Sequence, residues 1–385
     1  MLMRFRHRDG SVIHLGYCAN VHPAGDLDGV IAALDGCASL VRKELDVPVL
    51  GVGLWFPSTL ADRLANSPAA LNKLRRAVAR NQLEVVTLNG IPHSFFTEEI
   101  VGPKVYCPDW TEPERLRYTL DLVDVLAELL PDDAAYGSIS TLPLAWRVPW
   151  SKARNAAARE AFDRVEGYLA RTESRTGRRI RIAVEPEPGC VLEMLGQAAA
   201  WLSPYASPYA GGSSIGLGFD TCHLAVQFEE PDRAFETLWR AGIDVVKAQL
   251  SAAPQLADPS DYSGRRALAK LGDPKYSRQV REWCGPGVDD VDLAYQLSGH
   301  AAWRMHAHVP VHKALPPPLT GTNGVLDDCL NRLVGGGHPL THHLESEVYT
   351  WPQMPRTRKK LAGRIAAELG CLRKHLLGLG LEASG

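Results

Sequence analysis

The sequence predicts an α/β fold, a (β/α)8 barrel, on three observations. Short apolar runs alternate with longer amphipathic ones along the whole chain, and eight of the short runs are each followed by a helical pattern. Those short runs are almost continuously apolar, as parallel strands covered by helices must be. With 385 residues, 45% of them hydrophobic, the chain can bury one large core, and no Pro/Gly/Ser linker divides it into unlike halves. A single domain over residues 1–385 is therefore expected.

In chain order, the first strand is expected at His14–Asn20 with its helix at Leu27–Glu44. The second is Val47–Phe56 with Thr59–Arg80, the third Leu83–Asn89 with Pro113–Leu130, and the fourth Ala134–Ser140 with Lys152–Thr176. Ile180–Glu187 precedes Leu192–Leu202, Ser214–Asp220 precedes Arg233–Ala241, and Asp244–Leu250 precedes Gly324–Val334. Leu340–Tyr349 is the eighth strand, and Arg358–Leu377 closes the ring.

Two connections are too long for plain turns. Asn89–Thr111 follows the third strand. Ser251–Asn323 follows the seventh and carries helical patches at Arg265–Trp283 and Asp289–Gly299. Both leave carboxyl ends of strands, where barrels build their sites, so residues 251–323 read as a loop insertion over that rim. Trp303–Val311 is strand-like and reads as a rim segment. Pro316, Pro317 and Pro318, with Gly321 after them, suit a stiff arm with a hinge, as in a lid.

Charge and targeting signals exclude several classes. Lys and Arg number 42 against 44 Asp and Glu, a net charge of −2, so no nucleic-acid partner is expected. No apolar stretch is long enough to span a bilayer, and no apolar segment follows the basic N-terminus. The 8 cysteines stand singly, without metal-finger spacing, and read as reduced thiols of a cytoplasmic protein.

The chemistry sits at four strand ends. The fifth strand runs into Glu185-Pro186-Glu187, and the sixth into Asp220-Thr221-Cys222-His223. The seventh carries Lys247 and Gln249, and the eighth His343, Glu345 and Glu347. Period-two alternation puts Glu185 with Glu187, and His343 with Glu345 and Glu347, on one face each. Carboxylates crowded into one barrel mouth repel one another, and a divalent cation would keep them ionised. Oxygen-rich sites suit Mg, Mn or Fe; Zn is also open. Each group has a plainer reading, as a solvated rim carboxylate, an amide satisfying backbone or a residue opening a helix.

Other rim residues are His22, His93, Lys104, Asp109, and the trio His306, His308 and His312. Val309-Pro310 fixes an extended backbone there, aiming His306 and His308 the same way, and His308 or His312 is expected to approach the metal or substrate oxygens. Trp110, Trp146, Trp150 and Trp351 can wall a pocket or simply pack between loops.

The run Glu185-Pro186, then Asp220 with His223 three residues on, then a late Glu, resembles the sugar epimerases and hydroxypyruvate isomerases of the xylose-isomerase-like barrels. That resemblance implies Glu185, Asp220, Gln249 and Glu345 or Glu347 as metal ligands. Depth along the strand favours Glu345, leaving Glu347 to substrate or a second cation. Gln249 matches the His-x-Gln variant, but Lys247 replaces its His; the departure bears on the substrate contact rather than on the metal. A longer resemblance, through His14–Pro23, Thr87–Gly90, Lys104–Trp110, Gly137–Leu144, Glu185–Cys190, His306–His312 and Glu345–Trp351, is to the EboE family, described as metabolite-traffic proteins of the Ebo gene clusters.

These resemblances imply a metal-dependent isomerase or epimerase acting on a small hydroxylated or α-hydroxycarbonyl metabolite. Glu185 and Glu345 or Glu347 would move the proton, with His223, Lys247, His308, His312 and Trp110 against the substrate. The second reading is a metal- and metabolite-binding protein of trafficking, without turnover or with hydrolytic activity. Homo-oligomerisation and association with proteins of the same gene cluster are left open.

Overall fold

Eight parallel strands close on themselves in the computed structural model, which describes residues 3–207, 212–351, 353–354 and 360–384. They are β1 (Val12–Cys18), β2 (Leu50–Trp55), β3 in two pieces (Leu83–Glu84 and Thr87–Asn89), β4 (Gly137–Thr141), β5 (Ile180–Val184), β6 (Ile215–Asp220), β7 (Val245–Leu250) and β8 (His343–Ser346). Each pairs with the next, and β8 pairs with β1 to complete the ring. The (β/α)8 expectation holds. At the β1–β2 seam a side chain on Gly16 would lie 2.8 Å from the Gly51 backbone, so this approach needs glycine.

Helix Lys152–Thr176 lies where its periodicity put it, ending on Gly177 in the left-handed conformation. The expected helix Thr59–Arg80 is two, Ser58–Asn66 and Pro68–Arg80. Ser67 caps the second and Pro68 opens it, a start signal inside what reads as one amphipathic run. The first helical run contains a π turn at Leu34–Ala38. The last helix is Leu361–Gly378; Arg358 and Lys359 lie outside the described residues. Two short strands went unpredicted, Arg4–Arg6 and Glu382–Ser384, which pair beside the start of β1.

The segment after β7 differs most from expectation. Pro254–Leu256, Val280–Glu282, Gly287–Val288, Trp303–Met305 and Leu319–Gly321 form a five-stranded antiparallel sheet. The helical patch expected at Arg265–Trp283 is a helix only over Tyr262–Leu271; Gly272 and Pro274 end it and a strand follows. The patch at Asp289–Gly299 is a short 3-10 turn, Val291–Gln296. The expected hinged arm is corrected too, because Leu319–Gly321 is bonded to Pro254–Leu256 within this sheet. Gln279 Nε2 donating to Pro188 O at 2.8 Å and Arg304 Nη1 donating to Ala225 O at 2.8 Å fasten the sheet to the barrel rim. No helix among the described residues is long and apolar enough to cross a membrane. The eight cysteines are free.

Candidate metal centre

The barrel interior is polar toward its carboxyl end, and it is built in tiers. On the lower tier Lys247 of β7 is fully buried and its ammonium lies 2.8 Å from Glu345 Oε2. Burial pulls its pKa down, but the charge of Glu345 and the hydrogen bond to it outweigh that, and the pKa is raised. Asn89 at the end of β3 ties the tier together. Its Oδ1 accepts from Lys247 Nζ (3.1 Å), Gln249 Nε2 (3.0 Å) and Ser140 Oγ (3.1 Å), and its Nδ2 donates to Glu345 Oε1 (3.2 Å). Glu345 fills the space beside Gly53, where a Cβ would lie 1.4 Å from its Oε1.

The upper tier holds acceptors without donors. With its amide nitrogen on Asn89, Gln249 turns Oε1 away, and that atom is buried with no hydrogen-bond partner. Glu185 Oε2 and Asp220 Oδ2 are in the same condition. Asp220 Oδ1 is occupied: it accepts from His223 N at 2.8 Å and caps the short helix Thr221–Val226. Register aligns Asp220, Gln249 and Glu345 across β6, β7 and β8.

Burial first, then the charge of Asp220, raises the Glu185 pKa; burial alone dominates the rise at Asp220. Glu347, just beyond β8, is pushed well up by burial, Glu185 and Asp220. Glu187 rises to about 7 through burial, while accepting a 2.7 Å bond from Tyr106 OH. A buried, unpaired carboxylate must bind either a proton or a cation. Ligand atoms of Glu185, Asp220 and His223 all lie within 4.8 Å of one another, a spacing that fits one shared ion.

Beside this tier three imidazoles meet. His223 Nε2 is 3.0 Å from His306 Nε2, and His308 Nε2 is 3.3 Å from each. Their other nitrogens are held in place. His223 Nδ1 lies 2.8 Å from Pro186 O, His306 Nδ1 2.8 Å from Gln279 Oε1, and His308 Nδ1 3.0 Å from Ser251 Oγ and 3.3 Å from Glu347 O. A cavity of about 550 Å³ opens above, of a size for a small metabolite, with Glu185, Gln249, Glu347, His223, His306 and His308 in its wall. Tyr106 from the β3 connection and Arg278 from the insertion complete other sides.

The structure thus brings Glu185, Asp220, Gln249, Glu347, His223 and His308 together. It does not bring four other expected residues to the cavity wall. Lys247 and Glu345 satisfy each other beneath it. His312 hydrogen-bonds through Nδ1 to Glu368 on the last helix, and Trp110 is core, donating to Thr141 Oγ1 at 3.1 Å and packing on Phe162. Asn89 and Gln279 were not singled out from the sequence: an amide at a strand end carries no signal of the partners that converge on it. His306 was legible only as half of a His-x-His pair.

No protein-family model matches the chain, and no curated protein matches it. Among solved structures it is similar to a D-tagatose 3-epimerase-like protein, at 11% identity over 95% of this chain and 98% of that one, with a TM-score of 0.51. It is also similar to the IolI protein solved with a binding zinc atom (11% identity, 95% and 97% covered, TM-score 0.48). A third likeness is to a xylose isomerase domain containing protein of Salmonella typhimurium LT2 (14%, 94% and 97%, 0.44). The likeness to the epimerase-like protein shows the fold alone, a (β/α)8 barrel. The EboE resemblance rests on the sequence segments alone.

Proposed function

We propose that the chain is a divalent-metal-dependent isomerase or epimerase acting on a small hydroxylated or α-hydroxycarbonyl metabolite. One observation carries this reading: three buried acceptor oxygens, Glu185 Oε2, Asp220 Oδ2 and Gln249 Oε1, come from the carboxyl ends of three successive barrel strands, and none has a donor. Together with Glu347 they form an oxygen-rich set that suits a hard or borderline cation. Glu347 replaces Glu345 as the fourth ligand in this assignment, because Glu345 is already neutralised by Lys247.

A divalent ion held there would polarise a substrate carbonyl and acidify the neighbouring C–H. Glu185 and Glu347, just past the ends of β5 and β8, would accept and return the proton. Glu187, poised near neutral pH in the cavity wall beside Tyr106 OH, would hold a proton at a substrate oxygen. Asn89 would fix the Gln249 amide, and Lys247 would act from below by holding Glu345 and Asn89. The EboE resemblance supports a metabolite of an Ebo-type pathway, and the singly placed cysteines support a cytoplasmic setting.

Burial of Lys247, where the related pattern has a substrate-facing His, favours a second reading: a metabolite carrier that keeps the ion and pocket without turnover. Two measurements test the pair. Asp220→Ala should lose bound metal with its circular dichroism intact, and a fully metallated variant would sink the metal assignment. Purified protein with manganese should then incorporate solvent deuterium into hydroxy-ketones at the carbon beside the carbonyl. Metal without any exchange across a panel of them supports the carrier.

A further inference from the structure

We propose that the metabolite taken by this site carries an aromatic ring, received by an apolar wall on the far side of the cavity from its acids. The inference deepens the reading above and rests on it for the hydroxycarbonyl end alone. The cavity is two-sided. Strands β5 to β8 and the insertion supply acids, an amide and imidazoles, with Glu185, Gln249 and Glu347 among them. The sector of β1 to β3 supplies Val21 after β1, Trp55 at the end of β2, and Ile91, Pro92 and Phe96 of the β3 connection. About 550 Å³ is the volume of a site for a drug-sized ligand, and a bare hydroxycarbonyl head leaves much of it unfilled.

The polar atoms of the apolar wall are largely spent on one another. Trp55 Nε1 donates to Pro92 O at 2.7 Å, and Tyr118 OH donates to the same oxygen at 3.2 Å. Lys275 Nζ donates to Phe96 O at 2.7 Å, and Ser94 Oγ lies 3.3 Å from His93 Nδ1. Ring faces and aliphatic surface are what remains. A polyol laid here would give up water without gaining partners, whereas a ring removes apolar surface from water. Asn20 Oδ1, a buried acceptor with no donor, is placed in the cavity wall for a single hydroxyl. The wall is also held in shape before any ligand arrives. Ser58 N donates to His93 O at 2.8 Å, and Val101 N and Gly102 N donate to Lys275 O at 2.7 and 3.0 Å. A preformed wall spares the cost of ordering loops on binding. Trp55 already stacks on Phe95, with ring centroids 6.3 Å apart and planes at 28°. An indole with a phenyl beside it favours a flat ring over a saturated one, through offset or edge-to-face contact.

Calorimetric titration of the full-length, manganese-loaded protein tests this without turnover. The probes are hydroxyacetone and hydroxyketones with the same head joined to a phenyl or a cyclohexyl ring, directly or through one or two methylenes. The best phenyl compound should bind roughly tenfold or more tightly than hydroxyacetone, and roughly threefold more tightly than its cyclohexyl counterpart. Trp55→Ala should remove most of the phenyl advantage over hydroxyacetone, and Trp55→Phe should retain the larger share of it. Phe96→Ala, at a half-buried loop residue, should show the same loss and carries the test if Trp55→Ala does not fold. Phenyl compounds no tighter than hydroxyacetone overturn the inference, and solvent deuterium entering hydroxyacetone then leaves the isomerase reading standing. Cyclohexyl and phenyl compounds of equal affinity overturn the assignment of a ring that is aromatic. Tight phenyl binding with no exchange in any probe sustains the inference and overturns the isomerase reading alone.

Discussion

A lysine with no exposed surface is costly unless its charge is answered, and Lys247 is answered twice, by Glu345 and by Asn89. The same contacts fix the residues above. Because Lys247 and Ser140 donate to Asn89 Oδ1, that oxygen is also the acceptor for Gln249 Nε2, and Gln249 must offer its own oxygen to the site. Removing Lys247 leaves the buried Glu345 carboxyl without its counter-charge. Lys247→Met should therefore cost roughly 3–5 kcal/mol in urea unfolding, in line with broken buried pairs. Adding Glu345→Gln to that variant should recover a large part of the loss, since the uncompensated charge is gone. A Lys247→Met protein as stable as wild type would mean the pair contributes nothing.

At the scale of elements, β8 shows what a sequence can and cannot disclose. Period-two alternation correctly puts His343, Glu345 and Glu347 on the interior side, but the ladder extends only over His343–Ser346, four residues rather than the expected ten. Direction is legible because it depends on the strand alone. Depth is not, because it depends on which neighbour meets each carboxylate, and Lys247 lies on another strand. The barrel strands were readable as apolar runs, whereas the rim sheet is made of strands of two or three residues, too short for any period. Gln279 was hidden for that reason, inside a stretch whose pattern reads as helical. The depth question yields a prediction. Glu347→Gln should lose the ion of the oxygen-rich site, while Glu345→Gln should keep it and unfold at lower urea because Lys247 is left unpaired. Elemental analysis showing the opposite assignment would return Glu345 to the ligand set.

Over the whole molecule, the fold spends stability on holding acids in a dry interior, and pH should expose that cost. Burial raises the pKa of Glu185, Asp220 and Glu347, and that of Glu187 to about 7, whereas in the unfolded chain all of them titrate near 4. Between those values the metal-free native state binds more protons than the unfolded state, so these groups make stability fall as pH rises through the window. Buried His306 and His308, whose pKa values burial and His223 push well below the ordinary one, act in the opposite sense below about 6.5. Absolute melting temperatures therefore mix two trends, and the informative quantity is the difference between metal-loaded and metal-free protein. An ion requires its carboxylates ionised, so binding must expel the protons that burial retains. The stabilisation by saturating manganese should accordingly be small at pH 5.5 and grow to several degrees by pH 8. A site of ordinary carboxylates, already ionised at pH 5.5, would give a gap that is flat over this range. Thermal melts of stripped and loaded protein at four or five pH values distinguish the two, and a flat gap would mean that the buried acids are not where the ion binds.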